Sequence, residues 1–141
     1  MAGSDPKPLG SFIDEMRAFH TFYESVALAA DTQLLWFYLF LDCNEAHWPE
    51  RLPYLARNYA YAMDRPVRQV RQGMKDLVEL GLATHHGRNQ ASQSVTLHSV
   101  VPMARIIKNR PITTPLYQAL DIPRHYTAYD PHRVARMLKR Y

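Results

Sequence analysis

The sequence predicts a mainly α-helical chain closed by a small β-hairpin. Three observations carry this expectation. Apolar residues recur at helical spacing through most of the first eighty positions, and Gly81 ends that pattern. Two short alternating runs then follow, separated by a stretch rich in turn formers.

Residues 1–10 hold Gly, Ser and two Pro with little to bury, and read as a flexible lead-in. From there Phe12, Met16, Phe19, Tyr23 and Val26 fall on one face of an amphipathic helix. Asp31 or Thr32 is positioned to cap a second helix running to about Ala46. Being apolar nearly all round, that helix is expected at the buried centre of the domain. Pro49 and Pro53 break the chain, and a third helix is expected from about Pro53 to Ala62, with Leu55, Ala56, Tyr59 and Met63 inward.

After a tight connection, Asp64 offers a cap for a fourth helix with Pro66 in its first turn. Val67, Val70, Met74, Leu77 and Val78 make its apolar stripe, and Gly81 stops it. Residues 82–86 and 94–99 form the hairpin strands. Beyond them Pro102, Pro111, Pro115, Pro123 and Pro131 forbid a long helix, leaving short turns near 104–108 and 116–120. A last helix is expected from Asp130, with Val134, Met137, Leu138 and Tyr141 on one side and Arg133, Arg136, Lys139 and Arg140 on the other.

Helices closed by a hairpin, with two short helices joined tightly just before it, make a winged helix-turn-helix. The expected organisation is a lead-in (1–10), a winged-helix domain with an N-terminal helical extension (11–101) and a helical tail (102–141). That tail is basic and Pro-rich and ends in the short amphipathic helix.

At 141 residues and 47% hydrophobic, the chain can bury one proper core. Cys43 is the only cysteine, so no intrachain disulfide forms and a reducing, cytoplasmic location is expected. The longest apolar run, 34–41, is far short of the roughly 20 residues that span a bilayer, so no membrane role is expected. No basic stretch followed by a long apolar one opens the chain, so no export signal is expected either.

Charge is distributed unevenly. Residues 1–50 carry two Lys or Arg against eight Asp or Glu, a net of −6. Residues 51–101 carry a net of +4 and residues 102–141 a net of +6. The basic part therefore begins where the helix-turn-helix pattern begins, an asymmetry that steers that part toward polyanions.

The fourth helix concentrates the signal. At 100° per residue, Arg65, Arg68, Gln69, Gln72, Lys75, Asp76 and Glu79 point away from its stripe, with Arg71 on the flank. The N-terminal half of this face is Arg and Gln, and acid appears only from Asp76 onward. Recognition helices present their N-terminal residues to base edges, where Arg forks onto guanine and Gln onto adenine. Solvated helix formers would look the same residue by residue, so the set carries the expectation. The hairpin adds His85, His86, Arg88, Asn89 and Gln90 for backbone or minor-groove contact. Arg51 and Arg57 stand as flanking candidates, and Arg136, Lys139 and Arg140 of the last helix extend the basic surface.

No constellation for chemistry stands out. The five glycines are scattered, and the seven histidines lack metal spacing with Cys43. His125 and His132 flank a Tyr- and Pro-rich loop that reads as surface, and Tyr126 and Tyr129 lack the clustered acids of a metal-dependent DNA-cleaving site. Cys43 reads as a small core residue. No catalytic residue, cofactor or metal is expected, and the chain is read as no enzyme.

Phe22, Tyr23, Glu24, Ser25, Val26, Ala27 and Leu28, then Gln33, Leu34, Leu35 and Trp36, then Ala46, His47, Trp48, Pro49 and Glu50 carry a resemblance. This run resembles the N-terminal domain of DnaD-like replication proteins and phage replisome organisers. The likeness continues through Arg68, Arg71, Leu77, Gly81 and Leu82 to the hairpin, covering about residues 16–99. It implies a helical extension used for self-association and a role in starting DNA replication. The chain departs from the family at Asp64, Arg65 and Pro66, where a Ser/Thr-rich helix start is usual, and its tail does not look like the family's second helical domain.

The expected function is therefore a non-enzymatic DNA-binding protein of phage or plasmid type, acting in replication initiation or its regulation. The alternative is a winged-helix protein-binding inhibitor or adaptor, such as a phage protein blocking a host nucleoprotein machine. Expected partners are double-stranded DNA, a second copy through the aromatic, acidic N-terminal helix (a homo-oligomer), and a protein partner through the C-terminal helix.

Overall fold

The computed structural model describes residues 11–87 and 92–127. The helix expected from Asp130 and the hairpin tip at 88–91 lie outside them. The chain is mainly helical with a small antiparallel sheet, and it falls into two compact units. One is continuous, residues 29–99. The other is discontinuous, joining residues 11–28 to residues 100–127.

In the continuous unit the order is α2 (Ala30–Glu45), β1 (Leu52–Pro53), α3 (Ala56–Met63), α4 (Val67–Glu79), β2 (Ala83–His86) and β3 (Ser94–Leu97). Leu35, Trp36, Leu39, Phe40 and Cys43 of α2 are buried, with Trp36 stacked on Phe40 at 4.6 Å. Each fully buried side chain of this kind contributes roughly 1.5–3 kcal/mol. The central role expected for α2 holds along this face, but Leu41 on the other side is 51% exposed.

The expected caps are not the observed ones. α2 begins at Ala30 with Ala29 as its N-cap, and no side chain bonds there. Asp31 and Thr32 instead lie inside the first turn and reach across to other elements: Asp31 to Arg65, and the Thr32 hydroxyl to Asp76 at 3.3 Å. Asp64 does not open α4. It closes α3 in the left-handed conformation at φ 55°, where the amide of Arg65 bonds back to the carbonyl of Ala60. Asp tolerates that geometry better than most residues, which is why one residue can look like either kind of cap. The third helix also starts later than Pro53, at Ala56, because Leu52 and Pro53 are taken up by a strand.

α4 buries Val70, Gly73, Met74 and Leu77, while Val78, expected in the stripe, is 41% exposed. A Cβ on Gly73 would lie 3.2 Å from Leu35 Cδ2 and 3.4 Å from Thr32 Oγ1, so a bare glycine lets α4 approach α2 closely. Past Leu80, Gly81 at φ 78° supplies the expected stop, and the amide of Leu82 returns to the carbonyl of Leu77. β2 and β3 then pair antiparallel, Ala83 opposite Leu97 and His86 opposite Ser94. The expected hairpin is extended by a third strand, since β1 joins the free side of β3 with Leu52 opposite Val95. Pro53 suits this edge position because it has no amide hydrogen to lose.

In the discontinuous unit, α1 (Phe12–Ser25) packs with α5 (Val101–Asn109), followed by α6 (Leu116–Leu120) and a 3-10 turn at Arg124–Thr127. Ser11 caps α1, its hydroxyl accepting from the amide of Asp14. The buried face of α1 runs through Glu15, Ala18, Phe19 and Phe22, about one residue away from the expected line. The reason is Glu15, a fully buried acid on that face, whose carboxylate accepts a 2.8 Å bond from the amide of Val100. After α1, the amide of Ala27 donates to the carbonyl of Tyr126 at 2.7 Å. Pro102 sits in the first turn of α5, where its missing donor costs nothing.

Candidate nucleic-acid interface

α4 follows α3 after the Asp64 closure, with Pro66 as its N-cap. Pro66 fixes φ near the helical value but offers no side-chain acceptor, and no acid occupies the first turn. With Val70, Gly73, Met74 and Leu77 turned to the core, helical geometry directs Arg68, Gln72, Lys75 and Glu79 outward. Gln69 and Asp76 fall on one flank, Arg71 and Val78 on the other.

The structure treats the sequence-predicted residues differently. Arg68, Gln72 and Lys75 are exposed together on the outer face, and Gln69 is half-buried at its edge. Gln72 donates to the Asp76 carboxylate at 3.0 Å, and Asp76 also receives the Thr32 hydroxyl. Arg65 is exposed but tethered, its Nε 2.8 Å from Asp31 and one terminal nitrogen 3.0 Å from the carbonyl of Asp64. Such a surface ion pair is worth well under 1 kcal/mol and opens readily to a competing anion. Arg88, Asn89, Arg136, Lys139 and Arg140 lie outside the described residues.

On the Arg71 side, α4 borders a groove of about 620 Å³ that the sequence gives no sign of. Tyr54, Ala56, Met74 and Val78 supply its apolar lining, and Arg71, Lys75, Glu79, His85 and Gln93 supply polar groups. The Tyr54 ring stacks on Tyr59 at 5.6 Å and meets the His85 ring edge-on at 5.2 Å. Tyr59 is itself fixed by a 2.6 Å bond to Asp42. Among the described residues the buried Tyr54 hydroxyl has no hydrogen-bond partner. Burial pushes its pKa up to about 12, opposed by the nearby Arg71 charge, so the phenol stays protonated.

The hairpin histidines point to opposite faces. His85 Nε2 bonds Gln93 Oε1 at 3.0 Å, and His86 Nε2 bonds Thr96 Oγ1 at 2.8 Å. The Thr96 hydroxyl gives its one proton to the carbonyl of Glu50, so His86 must donate from Nε2. Burial and then the positive charge of Arg51 lower the pKa of His86, and burial lowers that of His98. Positive charge at His86 therefore appears only at lower pH than on an ordinary imidazole. Burial, aided by the Asp42 carboxylate, pushes the Cys43 thiol up to about 11.

Among the described residues no three His, Cys, Asp or Glu side chains gather as metal ligands, and no helix is long and apolar enough to cross a membrane. No family model matches the chain, and no curated protein or solved structure shows significant similarity to it.

Proposed function

We propose that residues 29–99 form a winged helix that binds double-stranded DNA, with α4 as the recognition helix. The observation that carries this reading is the shared exposure of Arg68, Gln72 and Lys75 on the outer face of a helix whose first turn holds no acid. The order α2-β1-α3-α4-β2-β3 and the strand order β1-β3-β2 support it, since a winged helix places its recognition helix directly before the hairpin. Arg68 and Gln72 read base edges, while Lys75, Arg71 and Arg65 neutralise phosphate. In line with the resemblance to DnaD-like proteins, the protein acts without chemistry of its own, in replication initiation or its regulation.

An electrophoretic shift with random duplex DNA across a salt series tests the reading. The expected result is binding that weakens steeply with salt, with the log–log slope reduced by about 0.9 for each phosphate-contacting residue among Arg71 and Lys75 changed to Ala. The double variant Arg68→Ala/Gln72→Ala should lose sequence preference by about 1–3 kcal/mol for each base contact removed. No shift at micromolar protein and low salt overturns it and points to a protein-binding adaptor instead.

A further inference from the structure

The groove beside α4 shares Arg71 and Lys75 with the proposed DNA face, but its volume, apolar lining and Tyr54 are features that the DNA reading does not use. Its volume of about 620 Å³ lies in the range of small-molecule sites, roughly 300–1,000 Å³. Its lining combines an apolar body with a few convergent polar groups, the composition such sites have. Arg71 and Lys75, one helical turn apart, place two cations at the groove against the single carboxylate of Glu79. Tyr54 is only 2% exposed, and a buried hydroxyl without a partner calls for one that the described residues do not supply.

We propose that this groove binds a small organic carboxylate with an apolar body. The Arg71 guanidinium takes the carboxylate through paired N–H donors, and the Lys75 ammonium adds a second charge. The Tyr54 hydroxyl, a donor at any physiological pH, completes its hydrogen bonding. The apolar body lies against Ala56, Met74 and Val78, exchanging water for hydrocarbon. A neutral apolar molecule leaves both cations without a partner, and a free inorganic anion leaves the apolar lining wet. The lining thus selects a molecule with both parts. The site does not require that α4 contact DNA, although it draws on Arg71 and Lys75, which the DNA reading gives to phosphate.

The test is a titration of the ¹⁵N-labelled full chain with 4-phenylbutyrate, octanoate and indole-3-acetate, with 4-phenylbutan-1-ol as the neutral control. Saturating amide shifts centred on Ala56, Val78 and Gln93 are expected for at least one carboxylate, and a much weaker response for the alcohol. Arg71→Gln should weaken binding about ten-fold or more, and Tyr54→Phe about three- to ten-fold. Tyr54→Phe should leave the free protein as stable as before or more so, because the hydroxyl it removes has no partner among the described residues. That combination separates a ligand-binding hydroxyl from a structural one. Absence of saturable shifts with all three carboxylates in a protein with a dispersed spectrum overturns the proposal. So does equal affinity for the alcohol, or unchanged affinity in both variants.

Discussion

The Glu15 carboxylate accepts a hydrogen bond from the amide of Val100, 85 residues further along the chain. Val100 is the N-cap of α5, a helix with no side-chain cap of its own. Glu15 therefore does from α1 what a local Ser or Asp does elsewhere: it satisfies an orphan donor and places negative charge at the positive end of the helix dipole. Glu15→Ala should destabilise the protein by about 2–4 kcal/mol, since it leaves a buried amide unpaired and a void beside it. Glu15→Gln keeps an acceptor and should recover part of the loss. Urea unfolding of both variants checks this, and equal stability of Glu15→Ala and wild type contradicts it.

Gly73 sets how closely α4 approaches α2. Alanine there gains roughly 1 kcal/mol of helix propensity but presses a methyl against Leu35 Cδ2, a side chain that can shift by tenths of an ångström. Gly73→Ala should fall within about 1 kcal/mol of wild type. Gly73→Val adds atoms toward the Thr32 backbone, which cannot yield, and should cost about 2–3 kcal/mol. Thermal melts of the pair read the difference directly.

At Gly87 the constraint is backbone rather than packing. Its φ of 97° and the Ser92 carbonyl oxygen, 2.5 Å from where a Cβ would stand, both exclude a side chain. Gly87→Ala should cost about 1–3 kcal/mol and act locally. Hydrogen exchange at the β2 amides should accelerate while that of α2 changes little. Unchanged exchange in β2 refutes it.

Stability should fall on mild acidification. His86 and His98 both have folded pKa values below the ordinary 6.5, so the unfolded chain binds their protons first. Their contribution is fully present above about pH 6.5 and is lost as pH drops through the lowered folded values. Melting temperature should decline between pH 7.5 and 5. His98→Gln, which keeps a partner for Thr84 across the 2.6 Å contact, should flatten that decline. A steeper decline in the variant reverses the sign and rejects the assignment.

Most helices were legible because their buried faces repeat at helical spacing, and the Gly81 stop was legible because left-handed geometry favours glycine. What stayed hidden depended on residues distant in sequence. Glu15 disguised the true face of α1, since a charged residue on a buried line looks like an interruption until its partner at Val100 is known. β1 is two residues long and contains Pro53, so it looked like a break. At the candidate interface the exposed set Arg68, Gln72 and Lys75 followed from the wheel alone. The tether of Arg65 to Asp31 did not, because it joins positions 34 apart. The groove draws on residues 54, 56, 71, 74, 75, 78, 79, 85 and 93, and no linear pattern joins them.

The discontinuous unit bears on how the protein emerges from the ribosome. α1 is translated before α5, and Val100, which pairs with its Glu15, appears 85 residues later. At about 5–20 residues per second this leaves α1 without its partner for roughly 4–17 s. Residues 29–99 are uninterrupted in the chain, and β3, their last strand, is finished just before Val100 is made. The central unit therefore never waits for a distant segment, whereas α1 waits for the whole of it to be made before α5 follows. Throughout that interval Phe19 and Phe22, buried in the finished protein, stay open to a chaperone or to another nascent chain.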